Sequence, residues 1–187
     1  MAVWIVRGGR SGEGRNGEFE DANLRDNIVT IGWFNSTDLT NVDTKKAIES
    51  VYDHDPETLD YVKKHNYKDS GKGHRINTAS QVFTIRNEIL INDIVIMPGK
   101  GQEYIAFGKV IGSYAYRPIS QRNPEGRNHT IPMIWINKEV PRSSFDQDIQ
   151  TRLNHPLTVY PAQPQEPENH RRDYEQSMLN VLEKFSS

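Results

Sequence analysis

Ile89-Leu90-Ile91-Asn92-Asp93-Ile94-Val95-Ile96-Met97-Pro98, a polar turn Gly99-Lys100-Gly101-Gln102-Glu103, then Tyr104-Ile105-Ala106-Phe107-Gly108-Lys109-Val110-Ile111-Gly112-Ser113-Tyr114-Ala115-Tyr116 is the stretch on which the fold turns. Ile94 to Met97 reads as a strand. Pro98 and Gly99 stop it, because proline cannot donate to a central ladder. The polar turn returns the chain as a second strand, Tyr104 to Ile111. Two apolar strands joined by a short polar loop predict an antiparallel hairpin. Gly108 interrupts the second strand and marks a bulge or a close backbone approach. The strand runs on through Gly112 to Tyr114 and Tyr116, which alternate onto one face.

Working outward, Val3 to Val6 is a first strand, followed by a loop with five glycines between residues 8 and 17. That loop lacks the Lys-Ser/Thr ending of a phosphate loop. Asn27 to Trp33 is a β-branched strand. Thr44 or Asp43 caps a short helix to Val51, and Asp55-Pro56 starts a second, with Asp as cap and Pro in the first turn. In that helix Leu59 and Val62 are expected to share an apolar face. A third helix is expected over 76–87, with Ile76, Ala79, Val82 and Phe83 at helical spacing. His129 to Ile136 alternates, placing Ile131, Met133 and Trp135 on one face and Ile134 and Ile136 on the other. Thr158 to Tyr160 is a closing strand. Three prolines in residues 161–167 read as a linker, and 168–187 as an amphipathic helix that needs a surface to pack on. The expected organisation is a domain over 1–160, the linker, and the tail helix. Its fold class is α+β, a small, curved, mixed β-barrel with flanking helices.

The length of 187 residues is enough to bury a core. Cysteine is absent, which excludes disulfides and thiol catalysis and removes the usual structural zinc ligands. No apolar run approaches the ~20 residues of a membrane span. A cytoplasmic location is expected. Net charge is −2, so no global grip on nucleic acid is indicated. A local one is, since residues 105–138 hold Lys109, Arg117, Arg122, Arg127 and Lys138 against Glu125 alone.

Aromatic residues gather at strand ends: Trp33-Phe34, Tyr114 with Tyr116, and Trp135. Such rings build a slot for a flat base, where stacking is worth ~1–3 kcal/mol. Asn35, Ser36, Asp38 and Ser113 are near enough in sequence to meet a base edge. Trp and Tyr are also ordinary core and rim residues of small barrels, so both readings stand. The basic loop offers Arg117, Arg122, Arg127 and His129 for phosphates, which position a nucleic acid without reading it. Motifs for catalysis are absent: no His-Glu-x-x-His and no Gly-x-Ser-x-Gly. His54 between Asp53 and Asp55 reads better as a helix cap than as a metal site.

In order, Val3-Trp4-Ile5-Val6-Arg7, Ile31-Gly32-Trp33, Asn92-Asp93-Ile94-Val95, Gly108 to Tyr114, His129 to Trp135 and Val140-Pro141-Arg142-Ser143-Ser144-Phe145 resemble segments of the PUA-like group that includes YTH and EVE domains. The likeness is to versions fused to modification-dependent, type IV restriction endonucleases. It covers roughly residues 1–160 and implies a PUA-like barrel that holds a flipped or unpaired modified base. Trp33 matches the first cage tryptophan of YTH domains. Where their other cage tryptophans lie, this chain has Tyr114 and Tyr116. The resemblance implies a non-catalytic module for a modified, methylated base on DNA, without a cofactor. An RNA reader or a nuclease acting through Asp53 and Asp55 are the alternatives. The expected base-binding residues are Trp33, Phe34, Asn35, Ser36, Ser113, Tyr114 and Tyr116, and the expected phosphate-binding residues are Arg7, Arg10, Lys109, Arg117, Arg122 and Arg127. Expected partners are an effector nuclease or NTPase domain or subunit, and a second copy through the tail helix.

Overall fold

The computed structural model describes residues 1–7, 18–64, 71–99, 103–117, 128–155, 157–163 and 173–186. Seven strands, β1 (Val3–Val6), β2 (Ile28–Ile31), β3 (Ile94–Pro98), β4 (Tyr104–Val110), β5 (Ala115–Tyr116), β6 (His129–Pro141) and β7 (Val159–Pro161), form one mixed sheet. Its order is β2-β6-β4-β3-β1-β7, with β5 on β6. The expected hairpin is present: β3 and β4 pair antiparallel from Ile94↔Lys109 to Pro98↔Ile105. β1 pairs parallel with β3, which makes the sheet mixed. Its two ends, β2 and β7, do not pair. The architecture is thus a curved, partly open half-barrel rather than a closed barrel. The helices are α1 (Glu18–Asp26), α2 (Lys45–Val51), α3 (Pro56–Lys64), α4 (Gly71–Phe83), α5 (Gln147–Leu153) and α6 (Tyr174–Glu183). Among the described residues, no helix is long and apolar enough to cross a membrane.

Both sheet faces are covered, which explains the unbroken apolar runs of β1 and β3. On one face Trp4, Val6, Val95, Ile131, Met133 and Trp135 join the residues of α2 and α4 in one core. On the other, Val3, Ile5, Ile96, Phe107 and Tyr160 pack with α5 and α6. Asp93 ties the N-terminal segment to the hairpin. Its carboxylate accepts from Ala2 N–H (2.7 Å), Trp4 Nε1 (3.0 Å) and Leu90 N–H (3.0 Å).

Gly108 lies where the β4–β6 register shifts. A Cβ there would stand 2.9 Å from Trp135 Cα and closer still to the Ile134 carbonyl. Both sequence expectations for this glycine, the irregularity and the close approach, are met.

Several details differ from expectation. α1 was not foreseen; its inward residues are Ala22 and Asn23, too short a pattern to register as periodic. β2 stops at Ile31, and Trp33 belongs to the following loop. In α3 the fully packed residue is Thr58, while Leu59 is exposed. α4 begins at Gly71, five residues before the expected start at Ile76, and leaves Ile76 exposed. It ends in a π-helical turn, Thr84–Glu88, which buries Ile85. The strand expected to stop at Ile136 runs to Pro141. Ile134 and Ile136 are exposed, so β6 is covered there on one side only. The tail helix folds back. Met178 and Leu182 are buried, Val3 N–H donates to Glu175 Oε1 (3.0 Å), and Asn137 Nδ2 donates to the Phe185 carbonyl (3.1 Å). Its apolar face is thereby occupied within the chain.

Candidate functional site

The loop after β2 is built by one inverted residue. Phe34 adopts a left-handed backbone, φ 56°, a conformation that costs a bulky residue ~1–2 kcal/mol. The inversion sends its side chain into the core, edge-on to Tyr52 at 6.3 Å. At this point the loop meets the start of β6. The Phe34 carbonyl accepts from His129 Nε2 (2.8 Å). The Asn35 carbonyl accepts from the Tyr116 hydroxyl (2.8 Å) and from Asn128 Nδ2. Ile31 already stands opposite His129 in the β2–β6 register, so the sheet itself places these partners.

Below the loop, Asp55 is fully buried. Oδ1 accepts from Ser36 Oγ (2.5 Å) and Thr37 Oγ1 (2.9 Å), and Oδ2 from Thr58 N–H (2.9 Å). Burial pushes this carboxyl up, but the hydrogen bonds from Ser36, Thr58 and Thr37 outweigh it, and the net direction is below the ordinary value. One aspartate therefore caps α3 and holds the loop. Asp38 is exposed, and its carboxyl is lowered by hydrogen bonding to Thr40. Arg86, brought round by the π-helical turn, donates to the Leu39 carbonyl (2.7 Å) and the Thr40 carbonyl (2.7 Å).

Two aromatic groups flank the loop. Trp33 is half-buried and lies edge-on to His74 at 5.3 Å; His74 Nδ1 is 2.7 Å from the Tyr52 hydroxyl. On the other side Tyr114 stacks on His129 (5.8 Å, 21°), and Tyr116 lies 5.3 Å from the same imidazole. The tautomer of His129 follows from its partners. A carbonyl only accepts, so Nε2 carries the proton and Nδ1 accepts from the Tyr114 hydroxyl (2.6 Å). Burial holds the imidazole below its ordinary value, and burial with the Asp38 charge pushes the Tyr114 phenol up. Among the described residues, Asn35 Oδ1 is buried without a hydrogen-bond partner. Its Nδ2 makes only a long contact, 3.4 Å, to the Gly32 carbonyl. Buried orphan acceptors are uncommon and call for an explanation.

A pH dependence follows. His129 is neutral when folded, with its pKa below 6.5. The unfolded chain takes up the proton more readily, so this stability is present above the unfolded value and is lost as pH falls through the folded one. His74 shifts in the same direction, through burial. The urea midpoint is expected to fall between about pH 7.5 and about pH 5, and to fall less in His129→Gln. Urea titrations of both proteins across that range check it.

Of the expected base-binding residues, Trp33, Asn35, Ser36, Tyr114 and Tyr116 belong to this one neighbourhood. Phe34 does not face it: at 1% exposure it is a core residue and acts through its backbone. Ser113 is exposed, and no described hydrogen bond joins it to the loop. Of the expected phosphate-binding residues, Arg117 adjoins Tyr116 and bonds through its N–H to the Asn128 carbonyl (2.7 Å). Lys109 is exposed opposite Ile94 and Ile134. Arg7 ends β1, whose neighbours are β3 and β7. Arg10, Arg122 and Arg127 lie outside the described residues. His129, expected at phosphates, is instead buried beneath the loop with both ring nitrogens bonded inside the chain. Asn128 was missed, and Asp55, read as a cap and as a nuclease alternative, was missed as the residue that holds the loop. Of the two acids invoked for a nuclease, Asp53 bonds to Arg75 at 2.9 Å and Asp55 is buried under the loop. Among the described residues no group of three His, Cys, Asp or Glu is placed to hold a metal ion.

A family model described as a domain of unknown function, DUF8426, matches residues 4–162. No curated protein matches the chain.

Proposed function

We propose that this chain, which belongs to the DUF8426 family, is a non-catalytic nucleic-acid-binding module that takes one modified base against the Trp33 loop. The single observation carrying the reading is the Asn35 side-chain oxygen, buried without a partner among the described residues, on a strained loop between half-buried Trp33 and half-buried Tyr114 and Tyr116. An indole and phenols supply stacking surface, and an orphan acceptor supplies an edge contact for a base N–H. Holding a left-handed Phe34 to present this loop costs stability, as binding loops commonly do. The PUA-like resemblance, of the YTH and EVE type, agrees with a base taken out of its stack. DNA is the favoured polymer, and RNA the second reading.

Wild type and Trp33→Ala are to be titrated with methylated and unmodified oligonucleotides of both sugars at fixed salt. Wild type is expected to prefer the methylated strand. Trp33→Ala should lose about tenfold or more in affinity, the worth of one stacked base. Equal affinity in every combination would end the proposal. Competition between DNA and RNA of one sequence separates the two polymers.

A further inference from the structure

Away from the Trp33 loop, basic side chains converge at the β1–β7 edge of the sheet. Tyr160 stands opposite Ile5 in the β1–β7 ladder and is buried. The Arg152 guanidinium lies 5.0 Å from its ring centroid, and the His155 ring 4.9 Å from it. Arg7 is brought alongside by its N–H bond to the Thr158 carbonyl (2.8 Å). Arg142, in the turn before α5, donates to the Gln150 carbonyl (2.6 Å) and Asn154 Oδ1 (2.7 Å).

These groups feel one another as like charges. Burial pushes the Arg142 guanidinium down, Tyr160 opposes it and Arg7 adds to it; after burial, Arg152 and Arg7 push the His155 imidazole down. At neutral pH Tyr160 is uncharged, since burial pushes its phenol up to about 12. Two of the four have structural tasks. Arg142 braces α5, and Arg152 donates to the Pro161 carbonyl (2.6 Å) and the Ala162 carbonyl (3.2 Å). Arg7 and His155 are half-buried and reachable from solvent. His155 Nδ1 accepts the Leu157 N–H (3.3 Å), so the proton of the neutral ring sits on Nε2 as a donor.

We propose that Arg7 and His155, backed by the charge of Arg152, form a binding site for a phosphate-type oxyanion. Guanidinium and imidazole N–H groups match tetrahedral oxygens with charge-assisted hydrogen bonds, and a bound anion relieves the repulsion. A free phosphate and a nucleic-acid phosphodiester share this chemistry. The site stands whether or not the Trp33 loop takes a base.

The test follows the His155 C2 proton by NMR through a pH titration, with inorganic phosphate, with an unmodified oligonucleotide, and with sodium chloride at equal ionic strength. Phosphate or the oligonucleotide is expected to move the His155 titration to higher pH, and whichever is effective identifies the source. Arg7→Gln should weaken that ligand about tenfold or more, the worth of one charge-assisted hydrogen bond, while Arg7→Lys retains most of the affinity. Should Arg7→Gln unfold, Arg7→Lys and His155→Gln decide by the same readout, His155→Gln through the affinity alone. An unmoved titration, one moved equally by chloride, or undiminished binding in Arg7→Gln overturns the proposal.

Discussion

Gly108→Ala is expected to be the most damaging single-methyl change in the chain. The added Cβ meets Trp135 Cα at 2.9 Å and the Ile134 carbonyl more closely. Both are backbone in the longest strand, so no side-chain rotation relieves the contact. β4 lies between β3 and β6 in the middle of the sheet order, and moving it disturbs both cores. Overpacking typically costs 1–3 kcal/mol, and a backbone clash in a central strand belongs at or above the top of that range, about 3 kcal/mol. That is a large fraction of a stability of ~5–15 kcal/mol. Urea unfolding should show a sharply lowered midpoint or no cooperative transition. A Gly108→Ala protein with the wild-type midpoint would mean that β4 and β6 are not as close as described.

Asp55→Ala is the largest effect expected at the site. It leaves Ser36 Oγ, Thr37 Oγ1 and the Thr58 N–H without their acceptor. One buried N–H stranded at Thr58, two partly exposed hydroxyls released and a lost helix cap cost about 2–4 kcal/mol together. The loop should loosen with α3, so base affinity should fall along with the urea midpoint. Asp55→Asn keeps an acceptor oxygen and should recover part of both. The carboxyl also has a pH signature. Its folded pKa is depressed below 3.8, so its contribution is present above that value and disappears as pH falls through the folded one. Affinity for the methylated oligonucleotide unchanged in a folded Asp55→Ala would separate the loop from the binding proposed for it.

The parts legible in sequence were those dictated locally. Ile94 to Met97 and Tyr104 to Ile111 announced a hairpin through composition and punctuation, Asp43-Thr44 and Asp55-Pro56 announced helix starts, and Gly108 announced a bulge or a close approach. The parts not legible depend on partners distant in sequence. Asp55 looked like any cap because Ser36 and Thr37, its other donors, lie across a helix and two loops. His129 read only as one phosphate contact of a basic loop, because what makes it central, one bond to the Phe34 carbonyl and two phenols, comes from residues 114–116 and an inverted Phe34. A left-handed phenylalanine has no composition signal. Among the aromatics, sequence alone could not tell Phe34, pressed into the core, from Trp33 beside it, left half in solvent. The openness of the sheet was likewise hidden, since alternation within a strand does not say whether the end strands meet.

The parallel pairing of β1 with β3 has a consequence for how the chain is made. Val3 needs Ile94, and Ile5 needs Tyr160, so β1 is made before both of its neighbours and has to wait for them. Such long-range closures slow folding, and until they occur Val3-Trp4-Ile5-Val6 is an uncovered sticky segment on the nascent polypeptide. Helices α2 to α4 mature from nearby sequence meanwhile, which makes the early strand, rather than the helical layer, the place where a chaperone would be needed.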